Sequence, residues 1–269
     1  MPQPPWWPAP APARQDSGWR FGRELSAPLG WLFELRRNVS ITPRQLMGCY
    51  LLLCTVSLFE RLREQAQQPV LVYASSIGVF GTPLPEHIDD ATPPAPTLSY
   101  GAQKRAIEVL LADYARRGWI DGRALRLPTV VARPAQAQVA LSSFASELIR
   151  EIAEGRPYTC PVGADAQLWW LSLPACVEHL RHAAALPADA LPAQRVWSLP
   201  ALRASVDDVV QALRRRFGAE VDARLRFAPQ AALQAQFAQW PPLSTETARR
   251  LGQQHDGDLD TLIERALRS

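Results

Sequence analysis

From Gln45 onward the apolar positions fall into runs of two alternating kinds. The stretch QLMGCYLLLCTVSLFERLREQ, 45–65, is apolar for most of its length and charged at its end, which predicts a helix. PVLVYASS, 69–76, is a short, continuous apolar run and predicts a buried parallel strand. A proline-rich stretch from Gly81 to Thr97 predicts a loop. SYGAQKRAIEVLLADYARRG places Ile107, Leu110, Leu111 and Tyr114 on one face and meets Gly118, so it predicts an amphipathic helix with a glycine stop. GRALRLPTVV, 122–131, reads as the next strand. Helices are predicted over 141–154, 176–186 and 205–218, the last with Ser205 as N-cap, and STETARRLG and DLDTLIERAL predict two more short ones.

Strands alternating with helices argue for an α/β fold around a parallel sheet, with a smaller helix-rich lobe after about residue 135. Residues 1–44 break the pattern. Pro2, Pro4, Pro5, Pro8, Pro10 and Pro12 crowd the start, and Trp6, Trp7, Trp19 and Trp31 follow no period. Proline removes backbone donors, so an irregular lead-in is expected there, with a short helix over 24–37. The start has no basic segment followed by an apolar one and does not read as a secretory signal. The longest apolar run, 46–59, is too short to span a bilayer, so a cytoplasmic protein without a membrane partner is expected.

Composition narrows the chemistry. The net charge of +3 is dispersed, which argues against nucleic acid as a partner. Cys49, Cys54, Cys160 and Cys176 show no CxxC spacing, and His87, His179, His182 and His255 are scattered. No metal site is expected; the cysteines read as reduced core residues. LRRRFG, 213–218, reads as a solvated helix end.

One residue stands apart. Lys104 is the sole lysine beside 28 arginines, and it lies four residues after Tyr100, on the same helix face. An ammonium near a phenol stabilises phenolate, which suits a tyrosine to proton transfer near neutral pH. A compact ammonium can also turn its donors toward sugar hydroxyls, which a planar guanidinium cannot do as well. Ser75 and Ser76 close the predicted strand, where open α/β sheets bind ligands.

The pieces LVYASSIGVFG, SYGAQKRAIEVLLADY and ALRLPTVVARP together resemble the extended short-chain dehydrogenase/reductases, the NAD-dependent epimerase/dehydratase family. SSIGVFGTPLPE, LLADYARRG and RLPTVVARP are similar to its D-erythronate dehydrogenase-like branch, and the resemblance covers roughly 45–269. It implies a Rossmann-like parallel sheet, N-terminally incomplete, with a small helix-rich C-terminal substrate lobe. It implies NAD or NADP as cofactor, NAD favoured, and a small sugar or sugar-acid substrate. Tyr100 would transfer the proton, Lys104 would hold the nicotinamide ribose and tune the tyrosine, and Ser76 would hydrogen-bond the reacting group. Ser75, Pro128, Thr129 and Val130 would line the cofactor, and Ser142 would face substrate. A homodimer through the Tyr100 helix would also follow. By domain, 1–44 would be the lead-in, 45–134 with 171–187 the nucleotide-binding part, and 135–170 with 188–269 the substrate lobe.

Two departures qualify this. The glycines before the first strand, Gly18, Gly22, Gly30 and Gly48, do not form the Gly-rich turn that receives a pyrophosphate at a helix N-terminus. On the substrate side, Ala135 and Gln138 stand in the loop after RP, and Gln167 and Trp170 stand where a cationic stretch would hold a sugar acid. Trp169 and Trp170 read as lobe packing rather than ligand stacking. A silent homologue or fragment with an interaction role is the competing reading.

Overall fold

A computed structural model of the protein describes residues 43–65, 67–132 and 143–268. The chain divides into two units, 1–50 and 51–269, and the architecture below belongs to the second. The expected lead-in and its short helix lie outside the described residues, except that Pro43 opens helix α1, Pro43–Glu64. Proline suits the first turn of a helix, where its missing N–H costs nothing.

Strand β1, Val70–Ser76, pairs in parallel with β2, Asp121–Leu127, across helix α2, Ser99–Arg116. The chain then turns into β3, Thr129–Val131, and helix α3, Phe144–Ala153. Strands β4, Tyr158–Cys160, and β5, Gln167–Ser172, precede helix α4, Leu173–Ala185. Strands β6, Val196–Ser198, and β7, Leu202–Ser205, lead to helices α5, Val206–Phe217, and α6, Glu220–Arg224. Strand β8, Leu225–Phe227, and helices α7, Ala231–Phe237, α8, Glu246–Arg250, and α9, Leu259–Leu267, complete it.

The site-bearing sheet has the order β1-β2-β6, all parallel. Helices cover its two faces. On one, Phe59 of α1 and Ile107, Leu111 and Tyr114 of α2 pack with Ala124, and Leu71 and Tyr73 join them. On the other, Ala175, Cys176 and Ala183 of α4 pack with Leu125, Leu171 and Trp197, joined by Val72. Alternate residues of β1 and β2 thus feed opposite cores, as a doubly covered parallel sheet requires. The fold is α/β and Rossmann-like, and α3, α5 and α9 build a larger second core around Trp169 and Trp170. Ser205 caps α5 as expected and does so as a capping box, its hydroxyl and the Asp208 carboxylate each accepting from the other's backbone N–H.

The expected single strand over 122–131 is two strands in two sheets. Pro128 has no N–H to extend the β2 ladder, and beyond it the chain leaves for a second sheet of order β3-β5-β7. The segment AQLWWLSLPA, read as a substrate-side stretch, carries β5. Both indoles there are buried: Trp169 donates to the Pro241 carbonyl at 2.7 Å, and Trp170 to that of Ala204 at 2.9 Å.

Candidate functional site

The carboxyl end of β1 gathers the chemistry. Ser76 accepts a hydrogen bond from the Gly78 N–H at 3.0 Å and so caps the short 3-10 turn Ile77–Val79. Accepting that bond leaves the serine O–H as a donor. Helix α2 begins against this turn. A Cβ on Gly101 would lie 1.8 Å from the Gly78 carbonyl oxygen, so no other residue permits the approach. The contact seats Tyr100 beside the turn. A Cβ on Gly78 would lie 3.4 Å from Ser76 Oγ and 3.3 Å from Tyr100 Cδ1, so hydroxyl and ring flank one small space. Tyr100 is 54% exposed, open to a ligand.

Lys104 lies one turn on. Its Nζ donates to the Ala74 carbonyl at 2.7 Å and stands 4.8 Å from the Tyr73 ring centroid and 5.6 Å from that of Tyr100. Burial pulls its ammonium below the usual lysine value. The structure thus brings Ser76, Tyr100 and Lys104 together.

Ser75 is placed differently. It is 2% exposed and its hydroxyl donates to Glu108 Oε1 at 2.6 Å, so its side chain is turned into the interior toward α2. Glu108 is fully buried and also accepts two bonds from Arg126, both 2.9 Å, and one from Arg105 at 3.1 Å. This bidentate pair ties α2 to β2 just beneath the strand ends. Sequence reading missed it, because Arg126 sits in an apolar strand pattern and Glu108 in an ordinary helix pattern. The signal was a carboxylate one helical turn after Lys104.

Pro128, Thr129 and Val130 directly follow the end of β2, where Leu127 is the register partner of Ser76, so they start from the neighbouring strand end. Pro128 is buried, while Thr129 and Val130 are half-buried. Ser142, Ala135 and Gln138 lie outside the described residues. Gln167 opens β5, with its backbone in register with Ser205.

The histidines are spread over separate structural contacts. His87 meets Ser244 Oγ at 3.0 Å, His182 meets the Leu251 carbonyl at 2.6 Å, and His255 accepts from the Gly257 N–H at 3.1 Å. His179 is buried in α4. Burial pushes the Cys160 and Cys176 thiols up to about 11, so neither is a thiolate nucleophile. Among the described residues no three or more His, Cys, Asp or Glu side chains could share a metal ion, and no helix is long and apolar enough to cross a membrane.

Comparison with known proteins gives the family. Residues 50–184 match the NAD dependent epimerase/dehydratase family. The chain is 40% identical over 208 residues to D-erythronate dehydrogenase of Cupriavidus necator, covering 77% of this chain and 64% of that protein. It is 32% identical to the Haemophilus influenzae D-erythronate dehydrogenase, covering 79% and 68%. The crystal structure of a nucleoside-diphosphate-sugar epimerase from Agrobacterium tumefaciens superposes with a TM-score of 0.74 at 33% identity, over 80% of this chain and 64% of that one. The chain therefore spans about two thirds of the length of these relatives. It belongs to the NAD dependent epimerase/dehydratase family.

Proposed function

We propose that this chain acts as a nicotinamide-dependent oxidoreductase or epimerase on a sugar or sugar acid, with D-erythronate the first substrate to test. One observation carries the reading: Ser76 Oγ and the Tyr100 ring flank the space a Gly78 side chain would fill, with the Lys104 ammonium one helical turn away. The serine hydroxyl and the exposed tyrosine stand side by side there, which supports hydrogen bonding and proton transfer to one hydroxyl or carbonyl of a sugar.

In this reading Ser76 donates its O–H to the reacting oxygen while its lone pair stays fixed by Gly78. The Tyr100 hydroxyl takes or returns the proton on that oxygen. Lys104 spends one of its three N–H donors on Ala74 and turns the others to the ribose hydroxyls of the cofactor. Pro128, Thr129, Val130 and the Ser75 backbone line the nicotinamide side, and Ser142 faces substrate. A bound nicotinamide supplies the acceptor or donor of hydride. NAD is favoured over NADP through the resemblance to the branch. Residues 45–134 and 171–187 form the nucleotide-side part, with β6 crossing back into its sheet, and 135–170 with the rest of 188–269 forms the substrate lobe. Leu53 and Leu58 of α1 and Val109 of α2 are exposed, which supports a homodimer through these helices. A cytoplasmic location completes the proposal.

The test is reduction of NAD or NADP, followed by absorbance, with D-erythronate and related sugar acids. Turnover that disappears in Tyr100→Phe supports the roles given; turnover that survives it removes the tyrosine from proton transfer. A second reading has its own observation, the absence of GxxGxxG spacing among Gly18, Gly22, Gly30 and Gly48. In that reading the chain is a silent homologue with an interaction role, and no nicotinamide binds.

A further inference from the structure

Tyr73 lies in the middle of β1, two residues before Ser75 and on the same strand face, toward α2. We propose that Tyr73 is the positioning residue for Lys104, its aromatic ring rather than its hydroxyl holding the ammonium in place.

The geometry is specific. Lys104 Nζ stands 4.8 Å from the Tyr73 centroid, nearer than its 5.6 Å to Tyr100. The same nitrogen donates to the carbonyl of Ala74, the next residue of β1. Two consecutive residues of one strand therefore fix the ammonium on two sides. Burial disfavours the charge there, and among the described residues no carboxylate pairs with it. Glu108, one turn further along α2, is occupied by Arg126, Arg105 and Ser75. An aromatic face attracts a partly desolvated cation without a counterion. The Tyr73 phenol is held well above its ordinary value by burial, Tyr100 and Glu108, so it remains neutral and adds no charge. The slot also accounts for the chain's one lysine. An ammonium carries three donors on one atom, so it can rest on the ring, hold Ala74 and still reach a ligand; a guanidinium spreads its donors over a plane.

The functional side of this inference rests on the reading of Lys104 given above, but its structural side is measurable without a cofactor. With a single lysine, 13C-lysine labelling of the full chain gives one side-chain Cε–Hε signal. In the folded protein that signal is expected upfield of its position in the urea-unfolded chain. Tyr73→Phe keeps the displacement and Tyr73→Leu loses most of it. Binding of nicotinamide mononucleotide is expected to weaken about 2- to 30-fold in Tyr73→Leu and to stay within about twofold in Tyr73→Phe. Should Tyr73→Leu fail to fold, Tyr73→Met takes its place. An unchanged Lys104 signal in the Leu or Met variant overturns the proposal, and so does a Phe variant that behaves like Leu, which would assign the effect to the hydroxyl. If the unaltered protein binds no nicotinamide mononucleotide, the proposed function fails while the lysine signal still decides the role of Tyr73.

Discussion

Removing the Glu108 carboxylate should unfold this protein more readily than any surface change. Glu108 is fully buried, and Arg126 is 6% exposed with both of its bonds to Glu108 at 2.9 Å. In Glu108→Ala the guanidinium stays buried without its partner, and the Ser75 hydroxyl loses its acceptor. Breaking such a pair from one side costs about 3–5 kcal/mol, since an uncompensated charge remains. The Arg105 contact adds little, because that side chain is 38% exposed and solvent screens it. For a chain of this length a loss of about 4 kcal/mol lowers Tm by roughly 8–16 °C. Urea unfolding followed by far-UV circular dichroism, with an unchanged m-value, measures it. Glu108→Met with Arg126→Met removes both charges and should cost clearly less than the two single changes summed, with a coupling of about 2–3 kcal/mol. A single-variant loss below about 1 kcal/mol, or strict additivity, would refute the view that this pair clamps α2 to β2.

Further outcomes follow from the same geometry. Gly101→Ala puts a methyl within 1.8 Å of the Gly78 carbonyl, so the first turn of α2 must shift; a loss of about 1–3 kcal/mol in urea unfolding and the end of any Tyr100-dependent turnover are expected. Burial depresses the Lys104 ammonium, so the unfolded chain holds more protons at this site between the folded value and about 10.4. Stability relative to Lys104→Met should therefore rise with pH through that window; a flat difference up to pH 10.5 would show that Lys104 is not desolvated. Trp170→Phe leaves the Ala204 carbonyl without its indole donor and opens space in the second core, at a cost of about 2–4 kcal/mol readable as a shifted urea midpoint.

The Tyr100 helix was legible because its apolar face follows one period and meets Gly118, and β1 because it is a short apolar run closed by two serines. That Tyr100 and Lys104 share a helix face was legible from their four-residue spacing, and that Ser76 closes β1 from the end of the apolar run; the roles given to them came from the resemblance. The partner of the Ser75 side chain was not legible: alternation puts neighbouring serines on opposite faces, and the buried Glu108 that takes its hydroxyl is remote in sequence. The β2 strand ran on too far in the reading, since Pro128 looks apolar but ends the ladder. β5 went unseen as a strand because two bulky tryptophans hide its boundaries, and its pairing with β3 and β7 comes from distant segments. The buried ion pairs were hidden too: Arg123 meets Asp121, which Arg195 also reaches, and Arg126 meets Glu108, and only the folded sheet brings these partners together.

In the proposed function the end of β1 and the start of α2 form a nicotinamide site with Lys104 as its ribose contact. Titration calorimetry of the full chain with NADH tests it directly. Saturable binding is expected, and Lys104→Met should weaken it by an order of magnitude or more while the fold is retained. No binding of NADH or NADPH up to millimolar concentration, or binding indifferent to Lys104→Met, would contradict it.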